Sequence, residues 1–462
     1  MVSAAKFADR EALIEKYRGR VPRYTSYPPA TAFRASRSQD GNEAYARAAT
    51  ESAGESLSVY VHFPFCQSMC LYCGCTAIAS KTGRRWPPYM TRLTRELEML
   101  STALGSRTLG QLHWGGGTPS WLPFDQAETF FEHLVSAFPL EPDAEVAIEI
   151  DPRTLRPGQL GQLRGLGFTR VSFGVQDVSP AVQSAVGRRC PEARTAHVIA
   201  EAHALDFDSV NVDLMYGLPR QTVASFHRTV SAVAQWRPSR IALFGYAHVP
   251  WMRPHQRLLP EEELPDARER VRLFATAIAV LEANGYVHLG LDHFVLPTDA
   301  LALARSAGKL YRNFQGYSIR RGRDLVGLGM SAIGFVAGTY LANHRRLSSY
   351  QNDLDRGRLP IERTYTSTER ERAVAGAIDS VMCHGHLELE RASADFGGPD
   401  ALYGVGVWDR LEMLEADGLI VRSGASIEVT PAGRFVLRHV AAALDPMLGA
   451  DVAAKERFSR GL

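Results

Sequence analysis

Six short apolar segments recur through the first half of this 462-residue chain: LSVYVHF (57–63), LGQLHW (109–114), AEVAIEI (144–150), RVSFGV (170–175), SVNVDLM (209–215) and RIALFGY (240–246). Each reads as a strand, and each is followed by a stretch with helical spacing. Tyr89, Leu93, Leu97 and Leu100 form one stripe within 89–104, and Phe130, Phe131, Leu134, Val135 and Phe138 another within 124–138. Strand–helix repeats join parallel strands through right-handed crossovers, and a sheet of that kind closes by curling into a full or partial barrel. The expected fold class is α/β, a partial (β/α)6 barrel over residues 51–300. An N-terminal arm (1–50) precedes it. A barrel extension and connector (301–364) and a mainly helical, winged-helix-like C-terminal domain (365–462) follow.

A barrel of this kind builds its active site at the C-terminal ends of its strands. Polar residues collect there. Gly115-Gly116-Gly117-Thr118 follows the second segment, Glu149 and Asp151 end the third, Gln176 and Asp177 the fourth, Asp213 the fifth, and His248 follows the sixth. Taken singly each could be an ordinary helix cap, as Asp151 before Pro152 illustrates; the shared placement is what favours a site. The GGGTP turn lets backbone amides approach a ligand closely. It lacks the lysine of a phosphate-binding loop and the G-x-G-x-x-G spacing, so nucleotide phosphate is not indicated. A plain tight turn is the bland alternative.

Four of the six cysteines fall between Cys66 and Cys75, just after the first strand segment. Cys66, Cys70 and Cys73 form a C-x3-C-x2-C triplet. A structural zinc site wants four ligands and would have to recruit Cys75 or His62. Cys73 and Cys75, with only Gly74 between them, fit awkwardly on one ion, and no second C-x2-C pair follows. Three thiolates on a short loop suit an iron–sulfur cubane that keeps one iron open to a small molecule. That reading is favoured; zinc and inert thiols stay open. Cys190 and Cys383 read as small buried apolar residues.

Composition sets the compartment. Hydrophobic content of 45% and charged content of 22% are those of an ordinary soluble chain, and a net charge of +2 offers no field for nucleic acid or a membrane surface. Six cysteines are too sparse for a secreted disulfide scaffold. The stretch MVSAAKFADREALIEKYRGR has no apolar core of a secretion signal, and no window of about 18 apolar residues would span a bilayer. A reduced, cytoplasmic setting is expected.

With these residues in view, the chain resembles the oxygen-independent coproporphyrinogen III oxidases of the radical S-adenosylmethionine (SAM) superfamily. The matching segments run nearly end to end: PRYTSYPPA (22–30), YVHFPFCQSMCLYCGC (60–75), QLHWGGGTP (111–119), IEIDPR (148–153), FGVQDV (173–178), NVDLMYGLP (211–219), GYAHVP (245–250), LDHF (291–294), RNFQGYS (312–318) and LVGLGMSAIG (325–334). The triplet alone marks only the superfamily; RYTSYP, the CGC ending and RNFQGY are narrower.

The resemblance implies that Cys66, Cys70 and Cys73 bind a [4Fe–4S] cluster whose fourth iron takes SAM. It places Tyr60 and Tyr72 along the cluster and SAM, and Gly116, Gly117 and Thr118 at SAM's methionine end. Glu149, Gln176, Arg188, Asp213, Ala247 and Ile333 fall on its other SAM positions. Two bound SAM molecules are implied, and Cys75 is implied not to be a ligand. The implied reaction turns two propionates of coproporphyrinogen III into vinyls, through a radical drawn from SAM by one electron. A tetrapyrrole substrate, a low-potential electron donor and a monomeric enzyme follow from it. Arg23 and Arg312 are the candidate clamps for the substrate's carboxylates, since guanidinium matches carboxylate in bidentate fashion.

Departures from the family pattern lie at Thr76, Cys190, the Arg320–Arg323 loop and Ala342, several of them expected near the substrate. The alternative reading is a related radical SAM enzyme: a methyltransferase, a cyclopropane-forming or a haem-degrading enzyme. A haem carrier is disfavoured by the intact arm and CGC ending. At the C-terminal end, Ser367 is the expected cap of a helix, and helix, strand, turn and strand follow it in a stretch that mixes acids and bases evenly, against a nucleic-acid role.

Overall fold

The computed structural model describes residues 16, 17, 19, 21–36, 40–320 and 324–448. Its centre is the expected parallel ladder. Strands β1 (Leu57–Phe63), β2 (Leu109–Gly116), β3 (Leu140–Ile150), β4 (Arg170–Gln176), β5 (Ser209–Tyr216) and β6 (Arg240–Gly245) pair in chain order, every neighbour parallel. Helices cross over between them: α1 (Trp86–Leu104), α2 (Phe124–Ala137), α3 (Gln159–Leu166), α4 (Glu192–Ala204) and α5 (Val223–Gln235), with α6 (Ala267–Ala283) after β6.

The ladder extends further than the sequence suggested. Beyond β6 the sheet continues antiparallel, through β8 (His293–Val295) to β7 (Val287–Gly290). On the other side, β9 (Asp324–Leu328) adds a seventh parallel strand against β1. Antiparallel β10 (Ile333–Val336), β11 (Thr339–Asn343) and β12 (Ile361–Thr366) follow, and Arg34–Ala35 of the arm forms the edge. Among the described residues this is one sheet of thirteen strands whose two edge strands do not pair, so the barrel is partial and open.

Packing explains the ladder. β1 is buried along nearly its whole length, as a parallel strand covered on both faces must be. α1 turns Trp86, Tyr89, Leu93, Leu97, Leu100 and Leu104 inward and ends at Gly105, whose φ of +69° suits glycine. Trp114 is fully buried, its ring 4.8 Å from that of Phe63 and 5.0 Å from that of Phe168. At the strands' N-terminal end, Arg107 and Asp324, each with 1% of its side chain exposed, form an ion pair of 2.6 Å. Arg107 Nε also donates to the Glu55 carbonyl, and the Ala337 N–H donates to Asp324.

One buried acid sits inside this core. Glu96 of α1 accepts from the Tyr350 hydroxyl (2.6 Å), the Asn343 amide (2.6 Å) and the Gly329 N–H (2.8 Å). Burial outweighs these bonds and lifts its carboxyl to about 7. The folded chain therefore holds a proton that the unfolded chain releases at ordinary carboxylate pH. That contribution to stability is complete below the ordinary value and lost as pH rises through about 7. Glu96→Gln is expected to flatten the fall in thermal midpoint between pH 5 and 8, read by calorimetry at fixed ionic strength; an unchanged slope would refute it.

After β12, α7 (Glu369–His384) begins a second core. Its cap corrects one expectation. Thr368, not Ser367, accepts from the Glu371 N–H, and Glu371 reaches back to the Thr368 N–H, a complete capping box. The Ser367 N–H instead continues the sheet to Gly338 O. A three-stranded sheet with Ser426–Val429 at its centre, flanked by His386–Glu388 and Ile420–Ser423, packs with α7 and α8 (Val407–Ala416), the helix-and-wing layout expected. Tyr17, Tyr24 and Tyr27 of the arm belong to this second core. Tyr24 and Tyr27 both donate to Asp445, at 3.0 Å each.

Candidate active site

The cysteine loop leaves β1 at the C-terminal end of the ladder and is tied down on several sides. Phe65–Cys66 pairs with Ile78–Ala79, and the Ser80 N–H donates to Cys66 O (2.8 Å). The Leu71 N–H donates to Val186 O at 3.0 Å. From beyond β6, fully buried Gln256 donates to Tyr72 O (3.0 Å) and Ala247 O (3.3 Å), and His255 Nε2 meets Cys73 O at 2.8 Å. These bonds fix the loop without using its sulfurs.

The sulfurs meet different surroundings. Thr118 Oγ1 donates to Cys66 Sγ at 3.3 Å, while burial pushes that thiol up to about 12. Cys70 Sγ accepts from Arg188 Nη1 (3.3 Å) and Arg153 Nη2 (3.5 Å). Both arginines are bound to Asp151, at 3.0 and 2.7 Å. Asp151 is thus a holder of arginines, not the helix cap its place before Pro152 allowed. The Cys73 thiol is drawn down to about 6, first by a hydrogen bond from exposed Cys75. The triplet sulfurs lie within range of one another's charge. Among the described residues, no three His, Cys, Asp or Glu side chains converge on a single ion. Three neighbouring thiols on one loop fit the thiolate corners of an iron–sulfur cluster.

The glycine turn lies directly on this loop. The Gly117 N–H donates to Phe63 O (2.7 Å) and the Thr118 N–H to Phe65 O (3.0 Å). A Cβ at Gly117 would stand 2.8 Å from the Pro64 carbonyl carbon, and one at Gly116, where φ is +110°, 2.5 Å from the His62 ring. Only glycine permits that approach. The Gly116 N–H donates to Glu149 (3.0 Å), and His113 meets the other oxygen at 3.2 Å. Burial would raise the Glu149 carboxyl, but these partners outweigh it and hold it below the ordinary range. Asp213, two strands away, goes the other way. Burial, then the Glu149 charge, lift it to about 7 against bonds from Asn211 (2.7 Å) and Ser172 (3.3 Å). Gln176, at φ +70°, keeps a buried Oε1 without a partner among the described residues. The Tyr60 ring stacks 5.8 Å from His113, and its hydroxyl meets His62 Nδ1 at 3.1 Å.

Comparison with known proteins agrees with this geometry. The Radical SAM superfamily profile matches residues 60–233. The oxygen-independent coproporphyrinogen III oxidases of Synechocystis sp. and Escherichia coli K12 are 39% and 36% identical, each over 97% of both chains. A solved coproporphyrinogen III oxidase from Escherichia coli, described as a radical SAM enzyme, superposes with a TM-score of 0.88 at 34% identity, covering 94% of this chain and 98% of that one. The chain belongs to the oxygen-independent coproporphyrinogen III oxidase family.

In this family member the expected positions divide into two groups. Tyr60, Cys66, Cys70, Tyr72, Cys73, Gly116, Gly117, Thr118, Glu149, Gln176, Arg188 and Asp213 gather on β1–β5 and the loops at their C-terminal ends. Ala247 is exposed just beyond β6, and Ile333 opens β10 opposite buried Ala342. Arg23 and Arg312 lie where the arm meets the turn between β7 and β8, past β6. Arg23 pairs with Asp292 at 2.7 Å, and Arg312 Nη1 donates to the carbonyls of Arg23 (2.9 Å) and Tyr24 (2.5 Å).

Of the departures, Thr76 offers His62 Nε2 its backbone carbonyl at 2.9 Å, a bond indifferent to its side chain. Cys190 is buried, its sulfur 3.4 Å from the Thr195 hydroxyl. Arg320 sits at the N-terminal end of the ladder, paired with Asp143 (2.6 Å) near the start of β3. Arg321, Gly322 and Arg323 lie outside the described residues. His113, Arg153, Ser172, Asn211, His255 and Gln256 were not singled out from sequence. Arg153 had a signal in its place two residues after Asp151; Gln256 had none, because only the folded chain brings it to the cysteine loop.

Proposed function

We propose that this chain oxidatively decarboxylates two propionates of coproporphyrinogen III to vinyls, giving protoporphyrinogen IX without oxygen. The observation that carries the reading is the join between the two motifs: Thr118 of the glycine turn bonds Cys66 of the triplet, in a chain of this family. In this reading Cys66, Cys70 and Cys73 hold a [4Fe–4S] cluster, and Gly116, Gly117, Thr118, Glu149, Gln176, Arg188, Asp213, Ala247 and Ile333 receive SAM, with Tyr60 and Tyr72 beside it. When bound, the cluster and SAM supply the radical that removes a hydrogen from the propionate β-carbon.

The chain's own residues orient and exclude. The Gly116–Thr118 backbone offers a close, side-chain-free approach. Ionised Glu149 suits SAM's ammonium, and Asp213, half-protonated near neutrality, suits ribose hydroxyls. Arg153 and Arg188, locked on Asp151, keep positive charge against the Cys70 sulfur. Phe65, buried and stacked edge-on to Trp86, shields the loop's base from water. A second SAM, a low-potential electron donor, and action as a cytoplasmic monomer belong to the same reading. Among the described residues no helix is long and apolar enough to cross a membrane.

The test is anaerobic incubation of the reconstituted protein with coproporphyrinogen III, SAM and a low-potential reductant, with mass spectrometry of the product. Two carbon dioxide molecules released per tetrapyrrole, with two vinyl groups formed, is the expected result. A methylated product would move the chain to a related radical SAM chemistry.

A further inference from the structure

Arg23 and Asp292 meet on the face where the thiols open. The Leu243 N–H donates to Asp292 O at 2.6 Å, which places Asp292 near the C-terminal end of β6. Arg23 reaches it from the arm, its guanidinium 6.0 Å from the Phe244 ring. The pair is partly open to solvent, with side-chain exposures of 49% and 23%. Pairs so exposed are weak and exchangeable.

Two further guanidiniums lie close to the pair. Arg312 and Arg438 hold the arm: Arg438 donates to the carbonyls of Val21 and Pro22, Arg312 to those of Arg23 and Tyr24. Four successive carbonyls are thereby fixed by two guanidiniums, and the Arg23 side chain is aimed outward at Asp292. Burial, with Arg23 next among the causes, holds Arg438 down at about 10. Arg312 Nε and His293 Nδ1 are buried donor or acceptor atoms without a partner among the described residues. Arg23, half exposed and paired with one carboxylate, is the cation within reach of a second.

We propose that Asp292 is an internal stand-in for a substrate carboxylate: it holds Arg23 in the empty protein and yields it to a propionate of a polycarboxylate tetrapyrrole, so that Asp292 sets the affinity for carboxylate-rich substrates. The inference rests on the proposed function and adds the residue that competes with the substrate. Arg23 is the binding group, and Arg312 and Arg438 position it.

The experiment is an anaerobic fluorescence titration of reconstituted protein with coproporphyrin III, a tetracarboxylate, and with protoporphyrin IX, a dicarboxylate. Asp292→Asn keeps the backbone bond to Leu243 and removes the competing charge. It is expected to tighten coproporphyrin III about fivefold, with a smaller change for protoporphyrin IX. Arg23→Gln is expected to weaken coproporphyrin III by a similar factor, and adding Asp292→Asn to it is expected to give no further gain, since the contested cation is gone. Circular dichroism and iron content report whether each variant is folded and loaded. Unchanged or weaker binding by Asp292→Asn, or an equal gain for both porphyrins, overturns the inference while leaving the proposed reaction standing. Absence of coproporphyrin III binding by the unsubstituted protein, with no turnover of its reduced form, overturns both.

Discussion

Cys66→Ala is expected to abolish the brown iron–sulfur absorbance and reductive SAM cleavage together. The reason is the corner count. Three thiolates leave one iron free for SAM, and two cannot hold the cubane against exchange. Loss of an outer partner of a metal ligand typically costs about 10- to 100-fold, and loss of a ligand itself should exceed that. Thr118→Val, which removes only the hydroxyl on the Cys66 sulfur, marks the milder case. Cys75→Ser should retain full iron content, because the proposed ligands are Cys66, Cys70 and Cys73 alone. Iron analysis and 5′-deoxyadenosine release after anaerobic reconstitution check all three. A Cys66→Ala protein that kept its cluster and cleaved SAM would remove the triplet from the mechanism.

Arg107→Ala is expected to be the costliest change to the fold. Its partner Asp324 is equally buried and would be left an uncompensated charge at the seam where β9 joins β1. Breaking a buried pair from one side typically costs about 3–5 kcal/mol, whereas replacing both partners by apolar groups is often neutral. Urea unfolding of Arg107→Ala should therefore show a sharply lowered midpoint, and Arg107→Met combined with Asp324→Leu should recover most of it. Equal losses in the single and double variants would show that packing, and not the stranded carboxylate, carries the cost.

The barrel was legible because its strands are near-continuous apolar runs and its crossovers keep a helical stripe. β9 escaped notice because LVGLG is short, rich in glycine and distant from the repeats, and its place beside β1 is a pairing across the whole barrel. The triplet and the glycine turn were legible from local spacing. Their mutual contact was not, since it depends on how β2 ends over Phe63–Phe65. For Asp151 the sequence left a local alternative, a cap before Pro152; its placement with the site is decided by Arg153 close by and by Arg188, which lies well along the chain. Ser367 and Thr368 are adjacent hydroxyls, and only the positions of Glu371 and the sheet decide which one caps. Arg320, one of the departures beside RNFQGYS, is carried by the strand direction to the N-terminal end of the ladder.

The arm has a consequence for how the protein is born. Chains emerge from the ribosome from the N-terminus, and domains fold as they appear. The cysteine loop and all six leading strands are made long before Arg438 and Asp445, the groups to which Val21, Pro22, Tyr24 and Tyr27 bind. Until that last stretch is translated the arm lacks these anchors. The order of synthesis thus closes the arm onto the C-terminal core last, after every strand of the barrel has been made.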